Sequence, residues 1–81
     1  MREKLISKKD LKHGAYYRGR CRHGELARWN EFDQQFYYWR EKCNKFFVDR
    51  IKHREDDNVL DVFDAFEEIA VPSQEIPFIS N

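Results

Sequence analysis

Over residues 15–22 the chain alternates, with Ala15, Tyr17, Gly19 and Cys21 on one side of an extended backbone and Tyr16, Arg18, Arg20 and Arg22 on the other. This period of two predicts a first strand whose arginine-bearing face is wet. Residues 8–14 precede it as an opening loop, ending in a glycine, Gly14, that can take the positive φ of a turn. His23-Gly24 marks the next turn. A second strand is predicted over 26–31, with Ala27 and Trp29 on one side and Leu26, Arg28 and Asn30 on the other. Asp33-Gln34-Gln35 is a polar step of hairpin length, leading to a third strand over 36–41. There Phe36, Tyr38 and Arg40 alternate with Tyr37, Trp39 and Glu41, so both faces carry rings and one is expected to be only partly covered. Residues 42–45 form a polar turn. A fourth strand follows over 46–53, with Phe47 and Ile51 facing one way and Phe46 and Val48 the other.

Residues 54–58, Arg-Glu-Asp-Asp-Asn, make the clearest loop in the chain. The segment after it has two readings. Val59, Val62, Phe63, Phe66, Ile69 and Ala70 fall at helical spacing, and Asp56, Asp57 or Asn58 would cap such a helix. The same stretch is rich in Val and Phe, which favour strands, and it fits an irregular closing strand. Periodicity alone favours the helix, at about residues 59–70. Residues 71–81 hold Pro72 and Pro77 among polar residues and are expected to form a flexible tail. Tyr17, Ala27, Trp29, Phe36, Tyr38, Phe47, Ile51, Val62 and Phe66 are the expected core.

Eighty-one residues bound the answer to one small domain, read here as residues 1–70. The charged fraction of 37% and mean hydropathy of −0.93 would fit a disordered chain, but seven Phe, four Tyr and two Trp do not. Those rings supply enough buried area for a core in a short chain. Two cysteines are too few for a disulfide-stapled module, the opening residues lack an apolar signal core, and no run approaches a membrane span. A cytoplasmic, membrane-free domain with reduced thiols is the expectation.

Net neutrality hides a gradient: residues 1–30 carry +6, residues 31–58 carry −1 and residues 59–81 carry −5. Such asymmetry marks either a face turned toward nucleic acid or two ends that pack against each other.

The run Asp10-Leu11-Lys12-His13-Gly14-Ala15-Tyr16-Tyr17 resembles the opening of many small barrel domains, in which a Leu-x-x-Gly turn feeds a Tyr-bearing strand. With Tyr-Arg-Gly-Arg-Cys-Arg, Ala-Arg-Trp-Asn, Phe-Tyr-Tyr-Trp-Arg and Asp61-Val62-Phe63, residues 10–69 are also similar to small proteins carried by phages and bacterial genomes. The resemblance implies no activity. It favours a mainly β fold, a small antiparallel SH3-like barrel of four to five strands, over an α+β domain with a C-terminal helix.

Cys21, His23, Cys43 and His53 are ligand-type residues, but no Cys-x(2–4)-Cys pair sets two thiolates on one turn as structural zinc sites do. Nothing marks a cysteine nucleophile with a base and an oxyanion hole. Asp56-Asp57 lacks calcium-loop spacing. The expectation is therefore a protein that is not an enzyme and holds no cofactor and no metal. The strongest constellation is basic and aromatic: Tyr16, Arg18, Arg20 and Arg22 on one strand face, Arg28 and Arg40 on neighbouring strands, and Tyr37, Tyr38 and Trp39 nearby. Arginines fork onto phosphates and exposed rings stack on bases, so a stripe of this kind suits a nucleic acid partner. The alternatives are that the arginines pair with carboxylates on a solvated face while the rings form the core, or that Tyr37, Tyr38 and Trp39 line a groove for a protein partner or a second copy. Oligomeric state is not legible.

Overall fold

The structure, a computed structural model, describes residues 4–22, 24–56 and 62–79. It is mainly β. Five strands, β1 (Tyr16–Cys21), β2 (Gly24–Asn30), β3 (Gln35–Lys42), β4 (Lys45–His53) and β5 (Val62–Ile69), pair in the order β1-β2-β3-β4-β5 and close into a ring when β5 pairs with β1. The first four strands fall within a residue or two of their sequence-based positions. A 3₁₀ turn at Lys8–Asp10 is the only helical element among the described residues.

The turns follow local chemistry. Gly14 takes φ +81° at the head of β1, as its sequence context anticipates. Cys43 and Asn44 have φ of 55° and 63°, the two left-handed residues of a tight hairpin between β3 and β4. Gln34, at φ 57°, closes the β2–β3 loop.

Two expectations are corrected. The helical alternative for 59–70 is overturned over its described part, and the mainly β reading holds: Val62–Ile69 is a strand, because its backbone is bonded to β1 through Tyr16↔Ile69, Tyr17↔Glu68 and Arg18↔Glu67. Asp57, Asn58, Val59, Leu60 and Asp61, with the proposed caps, lie outside the described residues apart from Asp56. The sheet is also not purely antiparallel. β4 and β5 run parallel through Lys52↔Val62 and His53↔Phe63, so the ring is mixed.

The inside of the ring holds Leu11, Tyr17, Ala27, Trp29, Phe36, Tyr38, Ile51, Phe63 and Ala65, with Ile6 and Cys21 packed at its margin. Trp29, Phe36 and Phe63 form the aromatic centre, with ring centroids 4.8 Å apart for Trp29–Phe36 and for Phe36–Phe63. The segment before β1 closes one end: the Ile6 N–H donates to the Ala65 carbonyl at 2.8 Å, and Leu11 fills the interior. Fully buried His53 fastens that segment. Its Nδ1 accepts from the Glu55 N–H at 3.0 Å, which leaves Nε2 to donate to the Ile6 carbonyl at 3.0 Å.

Phe47 and Phe66 depart from the expected core. Both are half-buried, and Phe66 does so for a reason in the ladder. Arg18 pairs with Glu67 while the next residue, Gly19, pairs with Ala65, so Phe66 is the extra residue of a bulge. The bulge turns its ring away from the interior and brings Phe63 and Ala65 inward instead.

Candidate functional site

The nine residues of the sequence-based site do not share one face, and Tyr38 is inside the ring. Tyr16, Arg28 and Tyr37 stand in one cross-strand row on the outside of the ring, since Tyr16 pairs with Arg28 and Arg28 with Tyr37. They are not wet. Tyr16 is 1% exposed and Tyr37 4%. The segment expected to be a flexible tail crosses this row, and its Ile76 is fully buried against Tyr16, Tyr37 and Val48, flanked by Leu26, Trp39, Ile69 and Phe78.

Ile76 is held at all three of its chemical handles. Its N–H donates to the Tyr16 hydroxyl at 2.8 Å, its carbonyl accepts from Arg28 Nη1 at 2.7 Å, and its side chain fills the space between the rings. Arg28 also donates through Nε to the Gly14 carbonyl at 3.0 Å, so its guanidinium is fixed from behind. Phe78 lies over that guanidinium at 4.2 Å and meets Tyr37 at a centroid distance of 5.1 Å. The Tyr37 hydroxyl donates to Asp33. Burial first, then the adjacent Asp33 carboxylate, raises the Tyr37 pKa above its ordinary value. Trp39 is half-buried beside this cluster, and its indole N–H is buried with no hydrogen-bond partner among the described residues.

Arg18, Arg20 and Arg22 lie elsewhere, along β1 and its end, beside β5. The basic first strand therefore meets the acidic last one: Arg18 Nε lies 2.6 Å from Glu67 and Lys12 Nζ 3.2 Å from Glu68. Much of the charge gradient is closed on itself by this pairing. Arg40, the third-strand arginine, bonds Asp49 at 3.0 Å. Arg20 stands opposite Asp64 in register, yet Asp64 gives its two oxygens to Arg54, at 2.8 and 2.9 Å. That hydrogen-bonded carboxylate raises the Arg54 pKa.

The candidate metal ligands do not assemble. His53 is inside the ring end, Cys43 is exposed in the β3–β4 turn, Cys21 donates to the Gly24 carbonyl at 3.5 Å, and His23 lies outside the described residues. Among the described residues no three His, Cys, Asp or Glu side chains are grouped to hold a metal ion, and no helix is long and apolar enough to cross a membrane.

No family model, curated protein or solved structure matches the chain. The resemblance drawn from residues 10–69 thus stands on those residues alone.

Sequence reasoning missed Ile76 and Phe78 on one face and Arg54 and Phe66 on the other. Ile76-Pro77-Phe78 carried a faint signal, two large apolar residues around a proline in a polar stretch. Arg54 carried none, because a charged residue in a charged loop has no pattern to stand out from.

Proposed function

We propose that this chain is a non-catalytic protein-binding module built on a small SH3-like barrel, and that its contact surface is the aromatic groove over Tyr16, Arg28, Tyr37 and Trp39. The observation that carries the reading is the grip on Ile76: one residue's N–H, C=O and side chain are each met by a groove side chain. Side chains that satisfy both main-chain groups of an extended segment while burying its apolar residue do what peptide-recognition grooves do. The ligand class is an extended segment with a branched aliphatic residue, then proline, then an aromatic, and residues 76–78 are the resident example. Tyr, Trp and Arg are the residue types enriched at binding hot spots.

The nucleic-acid reading of the same residues loses support, because Tyr16 and Tyr37 are buried and Arg28 gives its guanidinium to the Gly14 and Ile76 carbonyls. The test is direct. The chain ending at Ala70, once circular dichroism shows it folded, is titrated calorimetrically with a synthetic peptide of residues 71–81. Saturable one-to-one binding that vanishes when the peptide carries Ile76→Asp supports the groove. A folded chain that ignores the native peptide refutes it.

A further inference from the structure

Along β1 and β5, beyond the groove, two shallow clefts share one wall. The first, of about 400 Å³, is lined by Arg20, Cys21, Arg22, Arg54, Val62 and Asp64. The second, of about 240 Å³, is lined by Arg18, Gly19, Arg20, Glu25 and Phe66. Arg20 belongs to both. The chemistry of the two is different. The first is lined by three arginines, of which Arg22 is engaged elsewhere, and its Asp64 is committed to Arg54 through both of its oxygens. Arg54 is thereby held as a fixed donor, while Arg20 makes no hydrogen bond or ion pair among the described residues and is exposed. An exposed guanidinium beside one held rigidly in place forms a seat for an oxyanion, phosphate above all, through forked hydrogen bonds.

The second cleft offers a ring. Phe66 is turned outward by the bulge that places it between the Glu67 and Ala65 pairings, and the Arg18 guanidinium lies 5.8 Å from its ring centroid. A half-exposed aromatic one arginine away from a phosphate seat is the pairing of parts that nucleotide binding uses, with the anion on arginine and the base stacked on a ring.

We infer that the β1–β5 face binds a single nucleotide unit, its phosphate against Arg20 and Arg54 in the first cleft and its base on Phe66 in the second. The carboxylates around the face, Glu25, Asp64 and Glu67, set the size of the ligand. With Glu67 held by Arg18 and Asp64 by Arg54, the uncommitted guanidinium among the described residues is that of Arg20, which suits one phosphate and not a long polyanion lying across the whole surface. The unit comes either from a free mononucleotide or from the end of a strand. This site is independent of the peptide groove, and neither proposal needs the other.

The experiment is an amide-resolved NMR titration of the full chain with inorganic phosphate, a nucleoside, a 5′-mononucleotide and a four-nucleotide single strand. The mononucleotide is expected to bind about tenfold tighter than phosphate, the increment of one stacked base, and to shift amides in both β1 and β5, whereas phosphate shifts those around Arg20 and Arg54 only. Phe66→Leu is expected to erase that increment without changing phosphate binding. Arg20→Gln, at an exposed position without partners among the described residues, is expected to weaken both ligands about tenfold with the rest of the spectrum unchanged. Should Phe66→Leu disturb the fold, Arg20→Gln alone carries the test. Equal binding of the mononucleotide and the four-nucleotide strand, each with one phosphate engaged, assigns the site to free nucleotide, and preference for the strand assigns it to a chain end. Mononucleotide binding no tighter than phosphate, shifts untouched by Arg20→Gln, or no binding by any of the four overturns the inference.

Discussion

Tyr16 and Arg28 face each other across β1 and β2 and divide between them the two main-chain polar groups of Ile76: the tyrosine hydroxyl takes the N–H and the arginine supplies the carbonyl's donor. Neither bond belongs to a strand ladder. The segment over residues 71–79 is held to the sheet by side chains, and this has measurable consequences.

Tyr16→Phe removes the acceptor while keeping the ring, leaving the Ile76 N–H buried and unpaired. The loss expected is about 1–3 kcal/mol, read from the midpoint shift in urea unfolding. Arg28→Met removes the partner of the Ile76 carbonyl and of the Gly14 carbonyl together. Because both substitutions loosen the same residue, the double variant is expected to lose less than the two single losses added, with a coupling of about 0.5–2 kcal/mol. Strict additivity would mean that Ile76 is not the shared element.

Two glycines separate close approach from open space. A Cβ built on Gly19 would lie 2.1 Å from the Asp64 carbonyl oxygen and 2.7 Å from the Phe63 ring, whereas one built on Gly24 meets nothing within 4 Å. Gly19→Ala must push β1 away from β5 at the bulge and is expected to destabilise by about 3 kcal/mol or more. Gly24→Ala is expected to change stability by less than about 0.5 kcal/mol. Equal thermal midpoints for the two variants would contradict the packing at the bulge.

Tyr17 and Tyr37 have pKa values raised above 10.0, in both cases chiefly by burial. A group whose folded-state pKa lies above its unfolded value contributes stability that is complete below the unfolded value and lost as pH rises through the folded one. Stability from these two residues is thus expected to hold up to about pH 10 and to fall above it. At about pH 11 the native chain should show less tyrosinate absorbance than the same chain in urea. Matching titration curves for the two states would remove both residues from the account of alkaline stability.

The surface pair Arg18–Glu67 is close but partly exposed on both sides, at 41% and 56%. Exposed ion pairs contribute about 0.2–1 kcal/mol. Arg18→Ala is expected to stay within that range in urea unfolding and to lose most of its effect at high salt. A larger, salt-independent loss would mean that the arginine stem and its contact with Phe66 matter more than its charge.

Strands β1 to β4 were legible because each buries one side inside the ring, so Tyr17, Ala27, Trp29 and Phe36 fall on alternate positions that the sequence displays. The periodicity of β5 pointed to a helix instead, although its Val and Phe content fitted a closing strand, and the reason is physical. Val62 and Phe63 are both buried at its parallel start, Phe66 is displaced by a bulge, and Ile69 packs on the outside beneath the 71–79 segment. Three environments in eight residues abolish the period of two and mimic a helical one. The site was half legible for a related reason. The side chains of Tyr16 and Arg28 were visible as a tyrosine and an arginine on an outward face, but their cover comes from Ile76, sixty residues away in the case of Tyr16, in a segment with no periodicity to announce it.

The ring's seams are unequal in length. Seven paired positions join β3 to β4, from Phe36↔Ile51 to Lys42↔Lys45, whereas among the described residues β4 meets β5 only at Lys52↔Val62 and His53↔Phe63. The β3–β4 hairpin is local in the chain and closes over a two-residue turn, so it forms at little entropic expense. The parallel seam gains its few bonds only after a longer loop is drawn in. Assembly should therefore begin at the hairpin and end at the seam, and native-state hydrogen exchange should run in the reverse order, with amides at His53 and Phe63 opening well before those of Tyr38 and Val48. The seam expected to open first is thus set by which two strands run the same way.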